Sequence, residues 1–275
     1  MADFSQMAAA YQHRAVVQQS AGETLLEMLA IKPGEDVLDL ACGPGALTAR
    51  IRGRTNGRVV GCDAATGMIT EARSQHGGAG VEFVESDAAR LPFAAEFDAI
   101  YCNSAFQWFG DSAAVLSGCL TALRPGGRMA MQAPAKSDFC PNFIAAVGEL
   151  RQHDDTREVF SRFRSPWRFL ENAGNYARLF ADAGFTVTEG RMEAVANRCS
   201  PQQAMQIFLS GAAVAYLNPR YYEGGVPANF LARAARIVAA ALDRQCGTDG
   251  MIELTFHRVF VLACKAGEGP RLPRR

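Results

Sequence analysis

The sequence predicts a doubly wound α/β fold, a seven-stranded and mostly parallel sheet with a helical cap inserted around the last strands. Three observations carry this prediction. Short apolar runs alternate with helix-like runs up to about residue 134. Glycine- or proline-rich breaks separate them, and a long β-branched run, Leu254–Cys264, returns near the end. Strands joined by helices of about ten to fifteen residues make right-handed crossovers and a parallel sheet covered on both faces.

The elements follow in order. Leu25–Ile31 closes a helical segment that Pro33 and Gly34 break. Val37–Ala41 is a buried strand feeding a tight turn at Gly43, Pro44 and Gly45, after which Leu47 and Ile51 recur at helical spacing. Arg58–Cys62 is the second strand, followed by a helix through Met68, Ile69 and Ala72. Val81–Val84 and Phe97–Cys102 are the third and fourth strands. A helix over Ala114–Leu123 ends at Arg124, Pro125, Gly126 and Gly127, and Arg128–Gln132 is the fifth strand. Residues 137–172 are aromatic and arginine-rich with no strand period, 173–184 read as a helix, and Phe185–Thr188 as the sixth strand. Residues 200–245 are again helical before the final strand at Leu254–Cys264. Residues 1–136, 173–198 and 251–265 are therefore expected to form one core, 137–172 and 199–250 the cap, and 266–275 a flexible tail.

Composition excludes several classes. A chain of 275 residues can bury a full core without disulfide or metal staples. Lys plus Arg and Asp plus Glu are both 28, so neither a basic excess nor a basic stripe marks a nucleic-acid partner. No basic segment leads into an apolar run at the start, and the apolar stretches fall short of the roughly 18 residues of a membrane span. A cytoplasmic protein without membrane or nucleic-acid partners is expected, as a monomer or homodimer. The eight cysteines (Cys42, Cys62, Cys102, Cys119, Cys140, Cys199, Cys246 and Cys264) form no C-x-x-C pair and no zinc spacing. They read as reduced structural thiols, and no metal site is expected.

The informative stretch is Asp39–Gly45. A glycine-rich turn between strand and helix lets the backbone approach a ligand closely, in front of the free N–H groups of the helix. A second acid, Asp63, closes the second strand, where a carboxylate accepts from ribose hydroxyls in doubly wound sheets. Glu85, Ser86, Asp87 and Ala88 place another acid after the third strand. Glycines at the first turn and acids at three strand ends describe a nucleoside pocket. The dinucleotide fingerprint G-x-G-x-x-G lacks its third glycine after Gly43 and Gly45, and no G-x-x-x-x-G-K-[ST] loop occurs.

These residues resemble the class I S-adenosylmethionine-dependent methyltransferases. The resemblance runs through Val37–Gly45, Gly61–Asp63, Ser86–Ala88 with Leu91–Phe93, Phe97–Ile100 and Leu123–Gly127, in that order. Within the family, Asn103–Trp108 and the leading segment Met7–Tyr11 with Gln18 are similar to the branch containing trans-aconitate and malonyl-carrier-protein methyltransferases. The resemblance implies a Rossmann-like core and S-adenosyl-L-methionine as cofactor. It implies that Asp39 anchors the loop and the methionine amino group, with backbone at Ala41, Gly43 and Gly45 against the cofactor. It places Asp63 on the ribose, Ala64 and Met68 on adenine, Asp87 and Ala88 on the adenine edge, Asn103 and Ser104 under the methionine portion, and Tyr11 over its carboxylate. Read from the residues alone, Met68 fits plain core equally well, and Ala41 replaces the usual glycine.

Methyl transfer from a sulfonium is an in-line displacement in which the protein mainly aligns the partners and excludes water. No general base is obligatory, but His13, His153 and His257 are the histidines to consider, with His13, beside Tyr11, the first to test and His257 expected to be structural. The acceptor is expected to be a small carboxylic or hydroxylated metabolite lying near Gln107, Trp108, Trp167, Arg168, Tyr216 and Tyr221. Cap arginines, Arg157, Arg162, Arg164, Arg168 and Arg220, are the expected partners of a carboxylate. The alternatives are an S-adenosylmethionine-dependent decarboxylase, cyclase or isomerase, a non-catalytic cofactor-binding module, and, on fold alone, a nicotinamide dehydrogenase.

Overall fold

The computed structural model describes residues 16–78 and 80–267. Tyr11, His13, the leading segment Met7–Tyr11 and most of the expected tail lie outside them. The described chain runs α1 (Val16–Leu29), β1 (Val37–Leu40), α2 (Ala46–Arg52), β2 (Val59–Asp63), α3 (Thr66–His76), β3 (Val81–Glu85), β4 (Phe97–Asn103), α4 (Ser112–Ala122) and β5 (Leu123–Pro134). It continues through α5 (Pro141–Gly148), α6 (Arg157–Phe160), α7 (Ala173–Asp182), β6 (Thr186–Cys199), α8 (Pro201–Ser210), α9 (Ala213–Tyr216), α10 (Phe230–Asp243) and β7 (Ile252–Cys264). Among the described residues no helix is long and apolar enough to cross a membrane.

The seven strands form one sheet in the order β3-β2-β1-β4-β5-β7-β6. The first five are parallel, and β7 inserts antiparallel between β5 and β6. Because strand side chains alternate, neighbouring residues feed opposite layers. Leu38, Val60, Ile100 and Met131 pack with Leu116, Tyr176 and Phe180 of α4 and α7. Val37, Val59, Tyr101 and Ala130 pack on the other face with Leu25, Leu26 and Leu29 of α1. Tyr101 also donates its hydroxyl to the Gly22 carbonyl at 3.0 Å, and a Cβ at Gly22 would sit 2.9 Å from that hydroxyl.

A third apolar cluster, including Phe143, Phe160, Phe208, Phe230 and Leu242, is built from α5 to α10 without α7. Strand β7 serves both regions. Ile252, Leu254 and Phe256 belong to this helical cluster, whereas Val259, Val261 and Ala263 belong to the sheet core. The sixth strand is far longer than the sequence suggests, spanning Thr186–Cys199 rather than Phe185–Thr188. It is an edge strand whose residues alternate between exposed and half-buried, so charged side chains such as Glu189, Arg191 and Glu193 hide its period.

Arg128 ties β5 to the end of α1. Its guanidinium donates to the Leu29 carbonyl at 2.7 Å, to the Ala30 carbonyl at 2.8 Å, and to both Glu35 oxygens at 2.8 and 2.7 Å. The pair is only 17% and 15% exposed. Burial opposes ionisation of Glu35, but the hydrogen bonds from Arg128 and the Lys32 N–H outweigh it and hold the carboxyl below its ordinary value. Arg128→Met is expected to cost about 2–4 kcal/mol in urea unfolding at neutral pH, since it strands a partly buried carboxylate. Glu35 is depressed in the folded state, so its contribution is present above the ordinary Glu range and lost as pH falls through the folded value. The gap between wild type and variant should therefore close in acid.

Candidate functional site

The site forms where β1, β2, β3 and β4 end at the same edge of the sheet. After β1 the chain turns through left-handed backbone at Ala41 (φ 58°), Gly43 (φ 54°) and Gly45 (φ 85°). The two glycines serve different purposes. A Cβ on Gly45 would lie 2.8 Å from the Phe83 ring and 3.1 Å from Ala72, so this glycine lets α2 seat against β3 and α3. A Cβ on Gly43 would meet nothing within 4 Å, so it borders open space. Ala41 carries the strain that glycine would avoid there, on the order of 1 kcal/mol.

Asp63 organises this turn. Its Oδ2 accepts from the Gly43 N–H at 3.0 Å and its Oδ1 from the Ala65 N–H at 2.9 Å, which joins the β1 and β2 turns through one carboxylate. Burial pushes its carboxyl up, against those backbone donors. Asp39 lies behind the turn, 2% exposed, and accepts from Thr48 Oγ1 at 2.6 Å. Burial raises it to about 7, with the Thr48 hydrogen bond opposing and neighbouring Asp63 adding to the rise. Asp87 accepts from the Ala89 N–H at 3.0 Å, capping the turn after β3.

A cavity of about 520 Å³ opens beside these groups, lined by Asp63, Ala64, Asp87, Ala88, Trp108 and Tyr221 among others. That is the size of pocket that holds a small cofactor. A second cavity of about 110 Å³ adjoins it through Trp108, which lines both. Its walls are aromatic, with Phe139, Trp167 and Phe169 in mutual ring contact at 5.5–5.8 Å. Its polar edge is the β4–β5 end. Ser104, held at φ 56°, donates its hydroxyl to Gln132 Oε1 at 3.0 Å, and Gln107 Nε2 donates to the Ser104 carbonyl at 3.0 Å.

Comparison with known proteins agrees with this layout. Residues 37–127 match the family described as a methyltransferase domain. The chain is 34% identical over 130 residues to a malonyl-[acyl-carrier protein] O-methyltransferase of Acetivibrio thermocellus, 46% of each chain. It is 37% identical over 119 residues to a trans-aconitate 2-methyltransferase of Azoarcus sp., 43% of this chain and 46% of that one. Residues 37–127 thus carry a methyltransferase domain. The chain spans about half the length of these named relatives. A putative methyltransferase from Bacillus halodurans shares the fold, with a TM-score of 0.58 at 18% identity over 90% of this chain and 99% of that one. A Haemonchus contortus phosphoethanolamine N-methyltransferase solved with S-adenosylhomocysteine does so with a TM-score of 0.55 at 16% identity, over 95% of this chain and 57% of that one.

The cofactor of this domain is S-adenosylmethionine, and the residues present fit it. The space in front of Gly43, the carboxylates of Asp63 and Asp87 at the edge of the larger cavity, and that cavity's volume suit a nucleoside joined to an amino-acid arm. Of the residues singled out from sequence, Ala41, Asp63, Ala64, Asp87 and Ala88 line the larger cavity, together with Trp108 and Tyr221. Ser104, Gln107, Trp108 and Trp167 line the smaller one. Gly45 and Asp39 support the turn from behind while Gly43 borders open space, and Asn103 ends β4 without lining either cavity. Met68 is 2% exposed in α3 and lines neither.

The remaining placements differ from the sequence reading. Arg168 faces a separate surface groove with Phe106 and Arg178. Tyr216 is packed among Phe163, Trp167 and Phe208. His257, expected to be structural, borders the smaller cavity with Nδ1 3.0 Å from the Asp138 carbonyl. Phe139 in the smaller cavity comes from the aromatic segment expected to build the acceptor pocket, whereas Gly110 and Pro166 in the larger cavity and Arg258 in the smaller one were not singled out from the sequence.

Two results test this arrangement. Gly45→Ala should cost about 2 kcal/mol or more in unfolding free energy, and Gly43→Ala about 1 kcal/mol, because only the first adds a clash to the strained φ. Asp39 is raised when folded, so its contribution is full below the unfolded value near 3.8 and falls as pH rises toward about 7. Asp39→Asn should accordingly gain on wild type in urea midpoint as pH is raised from 4 to 8. A gap that stays constant over this range would contradict a buried, protonated Asp39.

Proposed function

We propose that the protein transfers a methyl group from S-adenosylmethionine to a small carboxylic or hydroxylated metabolite held in the aromatic cavity. The observation that carries this reading is the meeting of the two cavities at Trp108. A nucleoside-sized cleft edged by Asp63 and Asp87 opens directly beside a small apolar chamber. When bound, the cofactor supplies a methyl group already activated on a sulfonium, so the protein need not provide a nucleophile.

The chain's own residues then bind, orient and dry the site. Asp63, fixed by two backbone donors, has lone pairs left for ribose hydroxyls. Asp87 and the Ala88 N–H meet the edge of the base. Ser104, Gln107 and Gln132 form the polar edge of the smaller cavity. Trp108 and Trp167, 5.5 Å apart edge to face, exclude water around the acceptor. A carbonyl accepts only, so His257 Nδ1 donates to the Asp138 carbonyl, which leaves Nε2 outside that contact. It is the proton acceptor for a hydroxylated acceptor, while a carboxylate needs none. Tyr11 over the methionine carboxylate belongs to this proposal by resemblance alone, and His13 as an alternative base by its place two residues after Tyr11 in the sequence.

The assignment of residues 1–136, 173–198 and 251–265 to a cofactor core, and of 137–172 and 199–250 to an acceptor cap, is part of the same reading, as is a cytoplasmic location. Support for the cap comes from α8 and the residues after it, since Ile207, Ser210 and Gly211 close the smaller cavity opposite Ser104 and Gln132.

Calorimetric titration with S-adenosylhomocysteine tests the proposal. Wild type should bind, and Asp63→Ala should weaken binding by about 10- to 100-fold, the worth of charge-assisted hydrogen bonds. With an acceptor, S-adenosylhomocysteine should appear in step with methylated product. Product without it would indicate a non-methylating use of the cofactor, and absence of binding to wild type would overturn the reading.

A further inference from the structure

We infer that the aromatic chamber selects a small neutral alcohol or phenol over a carboxylate, because its polar edge presents hydrogen-bond acceptors. This rests on the function proposed above and narrows it.

Three side chains make that edge, and their mutual contacts fix which way each is turned. Gln107, 6% exposed, donates its Nε2 to the Ser104 carbonyl at 3.0 Å. A carbonyl only accepts, so the amide cannot be reversed and its other end is the acceptor Oε1. That oxygen is buried, and among the described residues nothing donates to it. The Ser104 hydroxyl gives its proton to Gln132 Oε1 at 3.0 Å, which leaves Ser104 Oγ able only to accept. Two acceptors therefore stand at this edge, beside the Nε2 donor of Gln132.

A buried acceptor without a donor is costly, and a ligand that supplies one recovers the cost on binding. A hydroxyl donates to Gln107 Oε1 and still accepts from Gln132. A carboxylate accepts only, so it would leave Oε1 unanswered and bring negative charge against two oxygens. Arg258, which also lines the chamber, does not reverse this. It faces Glu193 across the β6–β7 ladder, and that carboxylate answers its charge within the protein.

Position and size define the rest of the ligand. Gln107 directly precedes Trp108, the wall common to both cavities. A hydroxyl bonded there lies at the cofactor end of the chamber, with its apolar part among Trp167, Phe139 and Phe169. A cavity of about 110 Å³ is smaller than the roughly 150 Å³ engineered one that admits benzene. A single ring or a short alkyl chain is the limit.

The experiment is calorimetric titration of protein saturated with S-adenosylhomocysteine, using phenol against anisole and benzoate, and pentanol against methoxypentane and hexanoate. At least one hydroxyl compound should bind about ten-fold or more tightly than both its methyl ether and its acid, the worth of one buried hydrogen bond. Trp108 and Trp167, the two tryptophans of the chain, both line the chamber, so their fluorescence should shift as pentanol binds. Binding without that shift would place the ligand elsewhere and overturn the inference. Gln107→Leu removes the acceptor but keeps an apolar side chain there, and it should bring alcohol and ether to near-equal affinity. A preference set by size alone would survive that substitution and refute the role of Oε1. A wild-type protein in which the acid or the ether binds as well as the hydroxyl compound refutes it too. The comparison in wild type decides even if the variant fails to fold. Failure of S-adenosylhomocysteine to bind wild type is a separate result that removes the methyltransferase reading itself.

Discussion

The Asp63 carboxylate is the constraint on which the cofactor side of the molecule depends. Two backbone N–H groups, from Gly43 in the β1 turn and Ala65 at the start of α3, converge on its oxygens. Without that bridge, a turn with three consecutive left-handed positions at alternate residues has no reason to hold one shape. Burial makes the bridge costly to ionise, and the donors offset the cost, so the group is organised before any ligand arrives. Asp39 works by a different logic. It sits deeper, takes a single donor from Thr48, and lies close enough to Asp63 for one charge to discourage the other. One acid of the pair therefore faces the cleft, while the other supports the turn from inside.

The parallel half of the sheet was legible in the sequence because its signals are local. Val37–Ala41, Arg58–Cys62 and Phe97–Cys102 are near-continuous apolar runs, each with one charged residue, as covered parallel strands favour, and each ends in turn chemistry within a few residues. Strand β6 was mostly invisible for the opposite reason. At the sheet edge it pairs only with β7 and half-buries one face, so Thr186, Glu189, Arg191, Glu193 and Asn197 can all be polar. Its extent is set by the thirteen residues of its partner, Ile252–Cys264, and not by its own hydrophobicity.

The same division explains the site. Asp63 and Asp87 sit at strand ends beside their turns, where position along the chain fixes position in space. The acceptor side has no such shortcut. Phe139, Trp167, Phe256 and Arg258 come from the β5–α5 connection, the segment between α6 and α7 and the middle of a strand, and only tertiary packing brings them together. Arginines are abundant from Arg157 to Arg168, which draws attention to that stretch, yet abundance on a polar surface goes with pairing to Asp154 and Glu223. Arg258 carries a different signal, a lone guanidinium inside a β-branched and aromatic run, Thr255–Val261. Such a residue must be compensated once buried.

Strand β7 couples the two halves mechanically. Its first residues pack in the helical cluster and its last ones in the sheet core, with Arg258 at the changeover. A backbone held by ladders on both sides cannot shift one end without the other. The floor of the acceptor cavity is thereby fixed relative to β4 and β5, whose ends carry Ser104 and Gln132. In-line displacement tolerates little misalignment between nucleophile and methyl group. A cavity wall carried on a strand paired on both sides keeps a fixed register with those ends.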